Sequence, residues 1–295
     1  MTGTSPHDPL FTIMLPVTRP PALLPFAVES VKRQLCDSWE LFIICDGGPP
    51  GTGEMARQFA ADDPRIRARV HPKGQRHGEA YRHLVLQEAR GQYVAQIADD
   101  DLWFPDHLTE LERLLREVDF GATLSVNIDA QQVPQMNTRG FDSAEVRQQL
   151  LVRGFTIPGP TPTGYRMSAY HQLPEGWAPA PEGVPTDIHM WRKFIRVPGL
   201  TFGTRFALTA INFGSPNRTT WTLEQREEET RRWFARFDDD GSVRDLRAEL
   251  LATVVREARE WRAFKLTGRH VPFVRRTVRQ WYLWWKRRRS GKPRR

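Results

Sequence analysis

The sequence predicts an α/β protein in which a mostly parallel β-sheet is flanked by helices. In the first 130 residues, short apolar runs alternate with stretches of helical periodicity, and polar residues follow the end of each run. Strands that alternate with helices are joined by right-handed crossovers, so they lie parallel and helices cover both faces of the sheet. With 295 residues, 39% of them hydrophobic, the chain is long enough to bury such a core.

The strands and helices can be placed from these patterns. The predicted strands are residues 10–17, 39–45, 65–70, 93–97 and 122–128. The predicted helices between them are residues 22–35, 52–61, 78–90 and 105–118. Seven prolines between residues 158 and 185 predict a long irregular loop, a lid or acceptor site. A helix is predicted next at 186–195, and a helical C-terminal extension follows with helices at 223–237 and 243–264.

The charge of the chain is uneven. The net charge is +8, but residues 261–295 contain 13 Lys or Arg and no acid, which leaves 30 bases and 35 acids in the preceding 260 residues. The body therefore does not indicate a polyanionic partner. The N-terminus shows no secretory signal, and two cysteines, Cys36 and Cys45, indicate neither a disulfide framework nor a zinc site. A cytoplasmic protein is expected.

Three consecutive acids, Asp99, Asp100 and Asp101, follow the fourth predicted strand. Open parallel sheets bind ligands at the carboxyl ends of their strands, where Thr18, Arg19 and Asp46 are also expected. Adjacent carboxylates suit a divalent cation that keeps positions open for phosphate oxygens, and such a cation stabilises a departing diphosphate. A solvated loop or helix cap is the alternative.

Asp46 lies in "FIICDGGPPGTG". This stretch lacks the lysine and Ser/Thr of a phosphate loop, and no G-x-G-x-x-G follows the first strand, so a dinucleotide-binding fold is poorly supported. Asp46 either begins an Asp-Gly turn or accepts a hydrogen bond from a nucleobase or ribose.

Residues 11–108 resemble glycosyltransferase family 2, the inverting nucleotide-sugar enzymes with the Rossmann-like GT-A fold. The shared stretches occur in the family's order: "MLPVTRP", "ESVKRQLCDSWELFIICDGG" and "ARGQYVAQIADDDLWFPDHL". The sequence departs from the family pattern at Cys45 and Ala98, where the family usually has acids, and at Thr18 and Arg19, which replace the commoner Tyr-Asn.

The resemblance implies a role for each matching residue. The implied nucleotide contacts are Pro16, Val17, Thr18, Asp46, Arg82 and Asp99, and the implied ligands of Mg²⁺ or Mn²⁺ are Asp100, Asp99 and Asp101. The implied reaction moves a sugar from a nucleotide-diphosphate donor, with a UDP-sugar favoured, to a hydroxyl of a glycan or lipid-linked acceptor with inversion. The implied process is cell-surface polysaccharide synthesis.

Such a reaction needs a base, because a sugar hydroxyl is a poor nucleophile. In the family the base lies beyond the sheet half, near the start of a helix, and Asp187 in "GVPTDIHMWRKF" fits that placement. Glu182 and Glu175 are the nearest rivals, and helix capping is the other role open to Asp187. Candidate acceptor contacts, for which a structural role is the commoner finding, are His171, Trp177, His189 and Trp191.

The last 28 residues form a separate prediction. Val274, Val278, Trp281 and Trp285 would share one face of a helix whose other positions are rich in arginine. An amphipathic basic helix with tryptophan is typical of contact with an anionic membrane surface, here the inner leaflet through residues 271–295. A solvated tail is the alternative, and the acidic body makes a nucleic-acid partner an unfavoured one.

These features predict four regions: a donor-binding half (1–130), an acceptor-side region (131–215), a helical extension (216–267) and the basic tail (268–295). Two other functions stay open. A nucleotidyltransferase would make a nucleotide-sugar, but "MLPVTRPPALLP" lacks the glycine-rich basic loop usual in that class. A catalytically degenerate binding module is consistent with Cys45 and Ala98, whereas the retained Asp99, Asp100 and Asp187 argue against it.

Overall fold

The computed structural model describes residues 8–136, 139–152 and 158–267. The chain divides into two compact units, residues 1–243 and residues 244–295. Within the described residues, the first unit contains one sheet of nine strands with helices around it, and the second consists of helix up to Thr267. The predicted boundaries at residues 130, 215 and 267 separate regions by their expected roles, and they stay a prediction.

The strands are β1 (Phe11–Val17), β2 (Trp39–Asp46), β3 (Ile66–His71), β4 (Tyr93–Gln96), β5 (Leu102–Trp103), β6 (Phe120–Ile128), β7 (Pro134–Met136), β8 (Thr163–Arg166) and β9 (Phe202–Asn212). Their order across the sheet is β3-β2-β1-β4-β8-β6-β9-β5, with β7 paired to β6. The first four are mutually parallel, and so are β6 and β9, whereas β8 runs antiparallel between β4 and β6. The sheet is therefore mostly parallel, as predicted.

The helices are α1 (Leu24–Lys32), α2 (Thr52–Asp62), α3 (Glu79–Glu88), α4 (His107–Leu115), α5 (Ala144–Val152), α6 (Met167–Tyr170), α7 (Thr186–Arg196), α8 (Leu223–Phe234) and α9 (Asp240–Thr267). Short 3₁₀ turns occupy Pro21–Leu23, Ser215–Arg218 and Ala235–Phe237.

Both faces of the sheet are buried. Successive side chains of a strand point to opposite faces, so Ile13 and Leu15 of β1 pack in one core with α1 and α4. Met14, between them, packs in the second core with Phe120 and Trp191. The near-continuous apolar strands of the sequence are explained by this double coverage.

The proline-rich segment contains regular structure, contrary to the prediction of an irregular loop. Thr163–Arg166 has no proline, so its backbone can pair with β4 and β6, and α6 follows directly. β9 was not anticipated because residues 202–206 mix polar with apolar side chains. In the structure Phe206 is exposed, and the register of β9 with β6 is interrupted by shifts.

Aromatic packing fixes α7 against the sheet. Trp191 of α7 packs edge-on against Phe120, with ring centroids 5.0 Å apart, and against Trp177. The indole N–H of Trp191 donates to Pro158 O at 3.3 Å, and that of Trp177 donates to Tyr165 Oη at 3.1 Å. Both tryptophans are buried, at 1% and 3% exposure, so of the two roles open to them from sequence the structure favours the structural one: they hold α7 in place.

None of the helices in the described part of the chain has the length and apolar character needed to cross a bilayer. The predicted basic tail, residues 268–295, and its membrane contact at 271–295 lie outside the described residues.

Candidate active site

A cavity of about 350 Å³ opens at the carboxyl ends of β1 and β4 and at the start of α7. Among the residues that line it are Pro16, Thr18, Arg19, Arg82, Asp99 and Asp187. The sheet thus brings together four predicted nucleotide contacts and the predicted base. Val17, between Pro16 and Thr18, packs in the core instead, because alternate strand residues face opposite sides.

Asp99 and Asp100 pair with two arginines, and we call these four residues the carboxylate–guanidinium cluster. Arg19 donates to both oxygens of Asp100, with Nη2 at 3.0 Å from Oδ1, and the same Nη2 forms an ion pair with Asp99 Oδ1 at 2.5 Å. Arg226 of α8 donates to Asp100 Oδ2 at 2.6 Å. The hydroxyl of Ser215 donates to the same oxygen at 2.9 Å. Asp100 therefore lies between two cations.

The hydrogen-bond partners of Asp101 among the described residues are neutral. Its Oδ2 accepts from Thr161 Oγ1 at 2.5 Å and from Asn212 Nδ2 at 2.6 Å, and its Oδ1 accepts from the backbone N–H of Phe213 at 3.0 Å. These bonds join the segment before β8 to the end of β9. Asp101 is thus a structural carboxylate in this arrangement, contrary to its predicted role as a metal ligand.

Burial shapes the protonation of this region. It raises the pKa of Asp99, which Arg19 counteracts, and it also raises the pKa of Asp101. Burial alone would lower the pKa of Arg19, but Asp99 and Asp100 outweigh it and the net shift is upward. Arg19 is therefore firmly cationic.

Asp99 and Asp100 provide carboxylate oxygens, the type of ligand that a divalent cation such as Mg²⁺ takes. In the described residues no group of three or more His, Cys, Asp or Glu could hold a metal. However, Mg²⁺ at nucleotide sites is usually held by one or two carboxylates together with phosphate oxygens and water. Asp99 lines the cavity and Asp100 is adjacent, so this pair would hold the cation.

Asp187 lies in the first turn of α7, where its Oδ1 accepts a hydrogen bond from the backbone N–H of Ile188 at 2.8 Å. Burial raises the pKa of Asp187, and Arg82 works in the opposite direction. The rivals are elsewhere: Glu182 is exposed, and Glu175 is paired with Lys193 at 2.6 Å outside the cavity lining. Asp187 is therefore the one of the three with a place in the cavity.

Arg82 is a buried cation on the cavity wall. Its Nη2 donates to His77 O at 3.1 Å, and its guanidinium lies 4.9 Å from the centre of the Trp177 ring. Within the part of the chain that the structure describes, its Nε has no hydrogen-bond partner. Burial lowers the pKa of Arg82. A buried guanidinium with an unsatisfied N–H suits an anionic ligand, since leaving such a group unpaired is costly.

Asp46 organises the loop after β3. Its carboxylate accepts from Lys73 Nζ at 2.5 Å and from the backbone N–H of Gly74 at 2.6 Å. It is not among the residues that line the cavity, and its contact with a base stays a prediction. His171 is exposed and His189 half-buried, and the cavity lining includes neither of these two predicted acceptor contacts.

We expect Gly78→Ala to weaken nucleotide binding, because a Cβ at Gly78 would meet Asp46 Cγ at 2.6 Å and displace the carboxylate. Gly78 also has φ +67°, which disfavours other residues. Gly183→Ala is the control, because Gly183 has φ +75° but open space around its Cβ. Calorimetry with a nucleoside diphosphate should show a loss of about tenfold for Gly78→Ala, equivalent to about 1.4 kcal/mol. Equal losses in both variants would contradict a role for Asp46.

A comparison with protein-family models shows which family the chain belongs to. Residues 12–173, more than half of the chain, match the model described as "Glycosyl transferase family 2". The chain belongs to glycosyl transferase family 2. The resemblance found in the sequence is therefore confirmed.

Curated relatives of this family 2 chain match over short segments. The putative colanic acid biosynthesis glycosyl transferase WcaA of Escherichia coli (strain K12) is 32% identical over 105 residues, which are 35% of this chain and 37% of that protein. For the first relatives, the matched segment spans 11% to 37% of the relative's own length.

Solved structures show the same fold. S. aureus TarS 1–349 has a TM-score of 0.52 at 14% identity, over 87% of this chain and 72% of that one. The mannosyltransferase PcManGT from Pyrobaculum calidifontis, solved with GDP-Man and Mn²⁺, has a TM-score of 0.50 at 15% identity, over 97% and 81%. The predicted GT-A fold is thereby confirmed for this family 2 chain.

Two residues of the carboxylate surroundings, Ser215 and Arg226, were missed from sequence. Arg226 is 126 residues from Asp100 and lies in "LEQREEETRRW", which looks like a solvated helix face. A signal for Ser215 existed: it follows β9, and strand exits were already the expected location of the site. Because β9 itself was not predicted, that signal could not be used.

Proposed function

We propose that the protein is an inverting glycosyltransferase that moves a sugar from a nucleotide-diphosphate donor to a hydroxyl of a glycan or lipid-linked acceptor. The observation that carries this proposal is the shared cavity, in which Asp187 lies with Arg82 and Asp99. A base, a buried cation and a carboxylate pair at one strand edge are the parts that such a transfer requires.

Asp187 is the base in this proposal. Its carboxylate takes the proton of the acceptor hydroxyl as that oxygen attacks the sugar, and the raised pKa makes it a better proton acceptor. Attack from the face opposite the diphosphate inverts the anomeric centre through an oxocarbenium-like state.

The other cavity residues bind the donor. Pro16 and Thr18 line the nucleoside pocket, Asp46 holds the loop beside it, and Arg82 meets a phosphate. A divalent cation, Mg²⁺ or Mn²⁺, held by Asp100 and Asp99 would neutralise charge on the diphosphate as it leaves.

The substrate class is supported by what related proteins bind. The TarS fragment has been solved with UDP-GlcNAc and PcManGT with GDP-Man and Mn²⁺, and both are nucleotide-diphosphate sugars. A UDP-sugar is favoured as donor. WcaA is named for colanic acid biosynthesis, which supports a role in cell-surface polysaccharide synthesis.

The predicted regions keep their roles in this proposal: residues 1–130 bind the donor, 131–215 shape the acceptor side and 216–267 support it. A lipid-linked acceptor would be met at the inner leaflet, where the basic residues of 271–295 would contact anionic lipids.

Calorimetry with UDP and GDP, with and without Mn²⁺, tests the proposal. We expect one nucleotide to bind the wild type more tightly with Mn²⁺, and the Mn²⁺ effect to vanish in Asp100→Ala because a cation ligand is gone. Asp37→Ala is the control, since Asp37 is an exposed acid just before β2. It therefore lies at the amino end of that strand, whereas the cavity is at the carboxyl ends of the strands. A sugar donor that carries the bound nucleotide, such as UDP-GlcNAc or GDP-Man, is then incubated with the enzyme, and the release of nucleoside diphosphate is measured.

The possible results separate the functions. Mn²⁺-dependent binding with release of nucleoside diphosphate supports the transferase. Binding without any release, with or without glycan acceptors, would indicate a degenerate module. Absence of binding to UDP, GDP and dTDP under every condition would refute the donor class. Formation of a nucleotide-sugar from a nucleoside triphosphate and a sugar phosphate would favour the nucleotidyltransferase.

A further inference from the structure

We propose that Arg19 is an internal counter-ion that closes the cation site of the empty enzyme and leaves it only when a nucleoside diphosphate offers its guanidinium a new anionic partner. Cation and nucleotide would then bind together rather than separately. That a nucleoside diphosphate binds here is taken from the proposed function. That Arg19 blocks the two carboxylates is taken from the contacts of the carboxylate–guanidinium cluster.

Arg19 occupies the carboxylate oxygens that a cation needs. Its two terminal nitrogens engage both oxygens of Asp100 and one oxygen of Asp99. A bidentate, charge-assisted pair of this kind is among the stronger hydrogen-bonded contacts in proteins. A divalent cation that binds Asp100 must therefore first displace a well-placed guanidinium.

Exposure shows which member of the cluster can move. The side chains of Asp99 and Asp100 are 3% and 6% exposed, whereas that of Arg19 is 28% exposed and lines the cavity. The backbone of Arg19 is held, because Thr52 Oγ1 donates to Arg19 O at 3.1 Å. A swing of the side chain alone would uncover the two carboxylates and keep the guanidinium within the cavity.

Charge balance explains why the exchange needs the nucleotide. The cluster pairs two carboxylates with two guanidinium groups, and Arg226 stays bonded to Asp100 when Arg19 leaves. A divalent cation added alone would leave an excess of buried positive charge, which is costly. A nucleotide-sugar brings a negative charge on each of its two phosphates, so the cation and the released guanidinium are both neutralised.

The test is the binding of Mn²⁺ alone, measured by the loss of the electron paramagnetic resonance signal of free Mn²⁺. We expect weak binding to the wild type, strengthened about tenfold or more by UDP or GDP, within the range usual for coupled sites. Arg19→Gln should bind Mn²⁺ alone about tenfold more tightly than the wild type, and the nucleotide should then add little. Arg19→Lys, which keeps the charge but not the fork, should lie between them.

Two control variants isolate the role of Arg19. Arg69→Gln removes an arginine that pairs in the same two-pronged way with Glu88 on the surface, and should leave Mn²⁺ binding unchanged. Arg226→Gln removes the other cation of the cluster but leaves Arg19 on the carboxylates. An equal gain in Arg226→Gln would show that only net charge matters and would overturn the proposal.

Other results also decide the matter. The proposal fails if Arg19→Gln binds Mn²⁺ no more tightly than the wild type, or if the wild type binds Mn²⁺ equally well without nucleotide. Thermal unfolding shows whether each variant is folded, and Arg19→Lys carries the comparison if Arg19→Gln is not. If no nucleotide binds any variant, the proposed donor class fails, while Mn²⁺ alone still reports whether Arg19 blocks the site.

Discussion

Replacing Asp187 with asparagine is expected to lower the rate of sugar transfer by about 10²- to 10⁴-fold, the range typical for loss of a general base. Asparagine is nearly isosteric but cannot take the proton of the acceptor hydroxyl. Nucleotide affinity should change little, because the proposed donor contacts are on other side chains. The measurement is the kcat for release of nucleoside diphosphate from a sugar donor that carries the nucleotide identified by calorimetry, with acceptor present.

Glu182→Gln is the matched control, since Glu182 is an exposed carboxylate a few residues earlier and outside the cavity lining. Its kcat should equal that of the wild type. A large loss in Glu182→Gln together with normal turnover in Asp187→Asn would move the base to the proline-rich loop.

The pH profile gives an independent check on Asp187. Burial raises the pKa of its carboxyl, and only the ionised carboxylate can accept a proton. Activity should therefore fall as the pH is lowered through that raised pKa, above the range usual for aspartate. The residual activity of Asp187→Asn should lack this acid limb.

The largest expected effect on stability comes from the ion pair of Arg218 and Glu229, whose side chains are 0% and 1% exposed. Two N–H···O bonds join them, at 2.5 and 2.6 Å, and Arg218 also donates to Ile128 O at 3.0 Å. Glu229→Leu should lower the free energy of unfolding by about 3–5 kcal/mol, because a buried cation would be left without its partner. Urea unfolding at constant pH measures the change.

The double variant Arg218→Met/Glu229→Leu is the informative control. Removing both charges takes away the unpaired cation, so the double variant should be more stable than Glu229→Leu alone. A double variant that loses the sum of the two single losses would show that the residues act independently. The pair matters for the site because Arg218 ends the 3₁₀ turn that begins at Ser215, a partner of Asp100.

The donor side of the fold was predictable because its signals are local. Strands β1, β2 and β4 are short apolar runs followed by polar residues, and β3 alternates arginine with apolar residues. Parallel pairing brings the ends of all four to one edge without further information. Asp187 was found by its place at a helix start together with the family resemblance, and the cavity lining now includes it.

Residues that depend on distant packing were not predictable. The different surroundings of Asp101 and Asp100 became clear only from the contacts of Asp101 with Asn212 and Thr161. Trp177 and Trp191 have the composition of a sugar platform, and only their burial around Phe120 shows otherwise. The strand order predicts that Arg19 lies at the same sheet edge as Asp99 and Asp100, but its direct pairing with them could not be inferred from the sequence.

The antiparallel strand β8 ties the early and late parts of the chain into a single folding unit. β4 and β6 do not pair with each other; β8, from residues 163–166, fills the gap between them. A fragment that stopped at residue 130 would hold a four-stranded sheet with a bare edge along β4 and, apart from it, β6 stripped of its partners. The proposed donor-binding and acceptor-side regions are thus consecutive in sequence, but their shared strand pairing predicts that neither can be excised and kept as an independent module.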